Sequence, residues 1–261
     1  MCLETNPWYW KSQNQGLDKC LRQILIFINA HVSLSKQNRV VVLAMHSEGQ
    51  CHHLYESDNS SNDSTSDPIQ NDVSGKILKA LSELDADSTP PRKQKNVTTT
   101  TPLACALSMS MCYANRVDMC SGQNTSTRVV VIQGSGDFAG QYVPVMNAIF
   151  SAQRSEIPID SCILGNESDS AFLQQAAHIT GGLYYKVSAL SELTQSLMQM
   201  SSADVGLRKM LQVPNQRGVD FRASCFCHKA PLETGFVCSV CLSIYCKECK
   251  RCQTCEAEFD A

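Results

Sequence analysis

The chain has 261 residues, a formal net charge of −3 at pH 7 and 43% hydrophobic residues, which suits one ordinary domain plus a small module. The slightly acidic balance argues against a basic groove for nucleic acid, so we expect no direct sequence-specific contact with nucleic acid. No apolar run approaches the roughly 18 residues of a membrane span, and the first residues lack the features of a signal peptide, so we expect neither a membrane nor secretion.

The first part of the chain is predicted to hold two helices and a pair of strands. Apolar residues at helical spacing predict an amphipathic helix from Leu17, and an antiparallel hairpin of two strands is expected within 39–55. Residues 56–72 are mostly Ser, Asn and Asp, which predicts a flexible loop. A helix follows at 73–84, and a second flexible loop is predicted at 86–97.

The next part of the chain alternates helices with buried strands. The predicted elements are a helix ending near 116, a strand at 128–132, a helix at 142–150, a strand at 157–164, a helix at 171–179, a strand at 183–187 and a helix at 190–197. This alternation predicts an α/β, Rossmann-like fold over residues 1–200, with a mainly parallel, doubly wound sheet. The polar segment 201–221 is predicted as a linker, and a small module occupies 222–261.

Cysteines dominate this C-terminal module. Eight of the 15 cysteines fall into four closely spaced pairs: Cys225/Cys227, Cys238/Cys241, Cys246/Cys249 and Cys252/Cys255. Without secretion the compartment is reducing, and clustered cysteines there favour metal ligation over disulfides. Two pairs complete one tetrahedral four-sulfur site, so four pairs suffice for two ions. A module of this length is too short for its own hydrophobic core, and a metal usually supplies the missing stability.

Three stretches together resemble one protein family. They are Asn6-Pro7 with the tryptophans around Tyr9, the segment 179–184, and the segment 220–241 with its first cysteine pairs. This combination is similar to the subunit 3 family of general transcription factor IIH. The resemblance implies a von Willebrand A-like domain followed by a C-terminal C4 zinc finger.

The resemblance also implies a role and a set of partners. The family's expected role is a non-catalytic scaffold in the nuclear factor IIH core complex, which serves RNA polymerase II transcription initiation and nucleotide excision repair. The expected partners are other core subunits, especially the larger von Willebrand A-type subunit and the subunit that anchors a helicase.

The four pairs of cysteines are not equivalent under this resemblance. The match to the family's C4 finger implies a first zinc site formed by Cys238, Cys241, Cys252 and Cys255. The remaining four sulfurs interleave with these in sequence and leave open a second zinc ion in a RING-like cross-brace, with His228 as an alternative ligand: Cys225, Cys227, Cys246 and Cys249. One zinc ion is therefore expected, and a second remains an alternative.

The cation site of a von Willebrand A domain is degenerate in this sequence. Such a domain carries Asp-x-Ser-x-Ser after its first strand, and here the corresponding positions are Glu4, Asn6 and Trp8. Tryptophan does not ligate a hard cation. Thr101 and Asp137 stand where the family's remaining ligands fall, although Asp137 is more simply read as a helix N-cap. We therefore expect no magnesium.

The start of the chain also departs from the family. Only Cys2 and Leu3 remain of the central first strand, which suggests that the fold lacks this strand and that the N-terminus is truncated.

Two other classes of function compete with a scaffold. The run from Cys246 to Cys255 resembles half of an iron–sulfur motif, but Glu256 stands where the motif has proline. A RING-type ubiquitin ligase, or its cofactor, would also use cross-braced zinc, and it is the main alternative. No phosphate-binding G-x-x-x-x-G-K-[ST] loop occurs, so an ATPase is not supported, and the chain is expected not to be an enzyme.

Overall fold

A computed structural model describes the following residues of the chain: 1–12, 16–46, 50–57, 73–87, 101–121, 125–165, 169–202, 205–208, 210, 225–227, 232–248 and 250–259. Most of the loops predicted at 56–72 and 86–97 and of the linker predicted at 201–221 lies outside these residues.

The predicted helices and strands are present in the predicted order, together with further short elements that were not predicted. The helices are α1 (Pro7–Ser12), α2 (Leu17–Leu34), α3 (Val73–Asp87), α4 (Leu103–Ser121), α5 (Tyr142–Arg154), α6 (Ala171–Thr180), α7 (Leu193–Ser202) and α8 (Val205–Arg208). The strands are β1 (Cys2–Glu4), β2 (Val41–Met45), β3 (Cys51–Glu56), β4 (Val129–Gln133), β5 (Ile159–Leu164), β6 (Tyr184–Val187), β7 (Phe236–Val237) and β8 (Ile244–Tyr245).

Six strands form one mixed sheet in the order β3-β2-β1-β4-β5-β6. Only the hairpin between β2 and β3 is antiparallel, and the other four pairings are parallel. The predicted α/β class with a mainly parallel sheet is therefore confirmed.

The expectation of a missing first strand is wrong. β1 is only three residues long, yet it lies at the centre of the sheet between β2 and β4. Cys2 pairs with Leu43 on one side and with Val131 on the other. All three β1 residues are buried, because helices cover both faces of the sheet at this point. The two flanking strands thus hold a segment too short to show any periodicity in the sequence.

Two apolar cores lie on opposite faces of the sheet. One core packs α2, α3 and α7 against the sheet, and it includes Leu3 and Ile28. The other core packs α4, α5 and α6, and it includes Leu107 and Ile149. Covering both faces explains why β4 is apolar in four of its five residues and why every residue of β5 is buried, as is usual for strands of a parallel sheet with helices on both faces.

The start and end of α6 illustrate how the sequence sets helix boundaries. Ser170 is the N-cap, and its hydroxyl oxygen accepts the N–H of Leu173 at 3.1 Å. Gly181 ends the helix with φ of +70°, a left-handed conformation that glycine adopts without steric cost. The helix predicted at 171–179 is therefore confirmed, and it ends one residue later than predicted.

A short helix lies inside the segment predicted as a linker. Arg208 of α8 is buried and donates from both terminal nitrogens to the carboxylate of Asp160 on β5, at 2.8 and 2.7 Å. Arg128 lies 3.5 Å from the same carboxylate, which also accepts the N–H of Leu183. The polar composition of the linker gave no indication of this buried ion pair.

Candidate metal centre

The first predicted metal site is assembled in the C-terminal module. The sulfur atoms of four cysteines lie within 4.8 Å of one another: Cys238, Cys241, Cys252 and Cys255. The Sγ atoms of Cys238 and Cys255 are 3.7 Å apart, and those of Cys241 and Cys252 are 3.5 Å apart. Four sulfurs at about 2.3 Å from a tetrahedral zinc ion would be about 3.8 Å apart. The spacing of the four sulfurs therefore fits such an ion.

The first cysteine pair lies in a tight turn that follows β7. The N–H of Cys238 donates to the carbonyl oxygen of Ser243, and the N–H of Leu242 donates back to the carbonyl oxygen of Cys238, both at 2.9 Å. Leu242 has φ of +60°. The antiparallel pairing of β7 with β8 closes this hairpin.

The second pair repeats the same backbone geometry. The N–H of Cys252 donates to the carbonyl oxygen of Ala257 at 2.8 Å, and the N–H of Glu256 donates back to Cys252 at 2.9 Å. Glu256 also has φ of +60°, four residues after its cysteine, as Leu242 does after Cys238. The two turns are therefore copies of one structural unit, which brings each pair of sulfurs to the same side of its turn.

Hydrogen bonds converge on one of the four sulfurs. The Sγ of Cys252 lies 3.2 Å from the hydroxyl of Tyr245 and accepts the N–H of Thr254 at 3.4 Å. Burial opposes ionisation of this thiol, but hydrogen bonds from Tyr245 and from the backbone of Cys255 and Thr254 outweigh it and lower the pKa of Cys252 to about 5. The thiolate, which is the form that ligates a metal, is thus stabilised by its surroundings.

Three of the other four cysteines form a second cluster. The sulfurs of Cys225, Cys227 and Cys246 lie within 4.8 Å of one another, and those of Cys227 and Cys246 are 3.5 Å apart. Hydrogen bonding between these thiols raises the pKa of Cys246 to about 11. The two other predicted ligands, Cys249 and His228, lie outside the described residues.

The described residues of the module form a very small apolar core. Three of them are buried in it, and two of these are cysteines of the first site: Cys238, Tyr245 and Cys252. Partly buried residues, including Phe226 and Phe259, pack around them. Since the ligands themselves occupy the centre of the module, its packing depends on the state of those sulfurs.

An aromatic contact joins the module to the α/β domain. The ring of Phe226 lies edge-on to the ring of Tyr142 at the start of α5, with 5.4 Å between centroids. Tyr142 in turn lies 5.7 Å from Phe172 at the start of α6, and Phe226 lies 6.4 Å from Tyr245 in the module. The sequence analysis missed Phe226, although its position between two predicted ligands could have drawn attention to it.

The first turn of the module presents apolar side chains to solvent. Four large ones surround the Cys238/Cys241 pair, with exposed fractions between 52% and 67%: Phe236, Val237, Val240 and Leu242. Such a concentration on so small a surface is typical of a protein contact site. We call these four residues the apolar knuckle.

The degenerate cation position of the α/β domain is filled by internal hydrogen bonds. Glu4 is fully buried, and one of its carboxylate oxygens accepts the N–H groups of Gly134 and Ser135 at 2.6 and 2.9 Å. The other oxygen accepts the hydroxyl of Thr101 at 2.6 Å. Glu4 and Thr101 are thus brought together as predicted, whereas the donors from the turn after β4 were missed.

The other two residues predicted for the degenerate cation position, Asp137 and Asn6, make different contacts. The carboxylate of Asp137 accepts the hydroxyl of Ser170 and, at 3.0 Å, the N–H of Phe172. Asp137 therefore does cap a helix, but it caps α6 from a distance in sequence. Asn6 is buried, and its carbonyl oxygen accepts the N–H of Trp10 in α1. Among the described residues, the groups of three or more closely spaced Cys, His, Asp or Glu ligands are the two cysteine clusters.

A search of the described helices for a membrane span finds none that is both long and apolar enough.

Comparison with known proteins gives consistent matches. The family model for transcription factor Tfb4 matches residues 1–256. The chain is 40% identical over 268 residues to the general transcription and DNA repair factor IIH subunit TFB4 of Arabidopsis thaliana, covering 99% of this chain and 87% of the relative. It is also 40% identical over 272 residues to subunit tfb4 of the same factor in Schizosaccharomyces pombe, covering 98% of this chain and 86% of the relative.

A solved structure extends the match to the fold. The crystal structure of the TFIIH p34 N-terminal domain aligns with a TM-score of 0.62 and 29% identity, covering 76% of this chain and 93% of that domain.

Proposed function

This chain belongs to the transcription factor Tfb4 family, and on that basis we propose that it is a non-catalytic scaffold subunit of the general transcription and DNA repair factor IIH core complex. Its role is in RNA polymerase II transcription initiation and in nucleotide excision repair, and its location is the nucleus. The names of its relatives in plants and fungi support this assignment.

The observation that carries the scaffold role is the closed four-sulfur site. Cys238, Cys241, Cys252 and Cys255 would together hold one zinc ion, and four protein ligands leave no position for a substrate or an attacking water. When bound, zinc supplies a cross-link between the two turns of the module. The site is therefore structural, and Glu4 lends no catalytic cation either, because its carboxylate oxygens are already hydrogen-bonded within the protein.

We assign three segments to this role. Residues 1–200 form the von Willebrand A-like domain, 201–221 the connection, and 222–261 the zinc-binding module. Burial of Arg208 against Asp160 supports a connection that is anchored to the domain at its start. The expected partners are other core subunits, in particular the larger von Willebrand A-type subunit and the helicase-anchoring subunit, and the apolar knuckle offers a contact surface for one of them.

The test is co-purification of the core subunits with the tagged full chain from nuclear extract. Cys238→Ser should abolish the first zinc site, disorder the apolar knuckle and reduce recovery of at least one core subunit about tenfold or more, with helix content of the α/β domain unchanged by circular dichroism. Cys112→Ser is the matched control, because Cys112 is an exposed thiol on α4. Recovery of every subunit at the control level with Cys238→Ser would refute the scaffold role of the module.

Ubiquitin transfer tests the main alternative directly. With a panel of conjugating enzymes and the zinc-loaded chain, we expect no transfer above the level of a reaction without the chain. Transfer that depends on Cys238 would instead support a RING-type ligase.

A further inference from the structure

The second cysteine cluster has the geometry of a metal site in its own right. Its three sulfurs come from two places in the chain, Cys225 and Cys227 before β7 and Cys246 directly after β8. They nevertheless lie within 4.8 Å of one another, as close as the sulfurs of the first site. Cys225 is 1% exposed, so one of these thiols is held inside the module.

A disulfide would not account for this arrangement as well as an ion does. A disulfide joins two sulfurs, and the 3.5 Å between Cys227 and Cys246 would suit that pair alone. Three sulfurs converging on one point match three corners of a tetrahedron. In the sequence, Cys249 follows Cys246 at the C-x-x-C spacing that the first site uses at both of its pairs, but Cys249 lies outside the described residues.

The cluster is also linked to the contact between module and α/β domain. Phe226 lies between two of the sulfur-bearing residues, and its N–H donates to the carbonyl oxygen of Ile244 at 2.9 Å. Its ring bridges Tyr245 in the module and Tyr142 on α5. Any ion that binds Cys225 and Cys227 therefore fixes the turn that carries this ring.

We propose that Cys225, Cys227 and Cys246 bind a second zinc ion, and that this ion holds Phe226 against Tyr142 to dock the module on the α/β domain. The two zinc sites then interleave along the chain in a cross-brace. The first site folds the two turns, and the second sets their position relative to the α/β domain. This proposal does not depend on the assignment to factor IIH.

Metal content of the purified full chain tests the second site. Elemental analysis under reducing conditions should give about two zinc ions per chain, and Cys246→Ser or Cys227→Ser should lower this to about one. Cys112→Ser should leave it unchanged. Cobalt substitution of the Cys246→Ser chain should still give the spectrum of a four-thiolate site, which shows that the first site remains folded.

Several results would overturn the second site. One zinc ion per chain in the unmodified protein, with Cys227 and Cys246 titrating as free thiols or as a disulfide, contradicts it. Two zinc ions retained after Cys246→Ser contradict it equally.

Docking is tested by Phe226→Ala, which should keep both zinc ions while weakening the contact with Tyr142. We expect protease cleavage between the α/β domain and the module to accelerate roughly 2- to 10-fold, the factor that corresponds to one aromatic pair. Cys246→Ser should accelerate it at least as much, whereas Phe236→Ala, in the apolar knuckle, should not change it. Equal cleavage rates for Phe226→Ala, Cys246→Ser and the unmodified chain would refute the docking role.

Discussion

At the level of single side chains, the stability of the α/β domain depends strongly on the buried ion pair between Asp160 and Arg208. The side chain of Asp160 is fully buried and that of Arg208 is 6% exposed, so neither charge can be satisfied by water. A buried pair of this kind contributes little net stability compared with apolar residues, but loss of one partner is costly because the other charge remains buried.

Arg208→Ala should therefore destabilise the α/β domain by about 2–3 kcal/mol, measured by urea unfolding, because the buried carboxylate of Asp160 would keep the longer contact with Arg128, at 3.5 Å, but lose its two short hydrogen bonds. Arg251→Ala is a suitable comparison, because Arg251 pairs with Glu256 at 2.9 Å but both side chains are exposed. That change should cost less than about 1 kcal/mol. Similar effects of the two substitutions would show that α8 is not anchored by the ion pair.

The left-handed residues of the two cysteine turns give a second prediction. Glu256 adopts φ of +60°, which glycine tolerates better than any residue with a Cβ, and its side chain is exposed. Glu256→Gly should leave the stability of the module unchanged or raise it by up to about 1 kcal/mol, whereas Glu256→Val should lower it by about 1–2 kcal/mol. The stability of the module in both variants is measured by the thermal release of zinc to a chromogenic chelator. A Val variant as stable as the Gly variant would contradict the role of this conformation.

At the level of elements, β1 shows why a short strand can anchor a site. Glu4 is its last residue, and the carboxylate of Glu4 joins the turn after β4 to Thr101, which lies two residues before α4. The strand is thus held at its end by hydrogen bonds of a charged group as well as by its sheet partners, and such bonds are stronger than neutral ones.

Glu4→Ala should cost about 3 kcal/mol in thermal or urea unfolding, because it leaves the N–H groups of Gly134 and Ser135 without their acceptor. Glu4→Gln keeps one amide oxygen for these donors and should cost about half as much or less. Millimolar magnesium should not raise the unfolding midpoint of the unmodified chain. A rise that depends on magnesium concentration and disappears in Glu4→Ala would show that a cation binds here after all.

The sequence predicted the elements whose own residues carry a clear signal, such as regular apolar spacing or a residue that ends a helix. α6 has regular apolar spacing and is followed by a glycine, and β5 begins and ends on apolar residues although it carries Asp160 within it, so both were placed within about two residues. β1 could not be recognised, because three residues show no periodicity and its pairing comes entirely from distant strands. α8 was read as linker for a similar reason, since Arg208 anchors it through a buried ion pair with Asp160, which no local pattern reveals.

The candidate sites likewise have parts that the sequence predicts and parts that it does not. Repeated cysteine spacing identified both sulfur clusters, because metal ligands on a tight turn must be close in sequence. The hydrogen bonds that complete the arrangement, from Tyr245 to Cys252 and from Gly134 to Glu4, join segments that fold together, so only the structure identifies them.

At the level of the whole molecule, the two parts of the chain are stabilised by different means. The α/β domain has two apolar cores, whereas the described part of the module has three buried core residues, two of which are cysteines of the candidate metal site. The module should therefore depend on metal far more than the domain does.

Removal of zinc by a chelator should unfold the module but not the α/β domain. In excess EDTA, or a stronger zinc chelator, we expect the module to become sensitive to protease while the far-ultraviolet circular dichroism of α2–α7 is retained. Readdition of zinc should restore resistance, and magnesium should not. Collapse of the helical signal together with the module would show that the α/β domain cannot fold on its own.

The central position of β1 has a kinetic consequence. β1 can pair with β2 early in synthesis. Its other edge can pair only after Val131 has been made, roughly 130 residues further along the chain. At ribosomal rates of 5–20 residues per second, that edge stays unpaired for on the order of ten seconds. An open strand edge is a template for wrong pairing, and long-range parallel pairing is slow to form. Newly made chains should therefore need a chaperone during this interval. The yield of folded protein should fall when that chaperone is lacking.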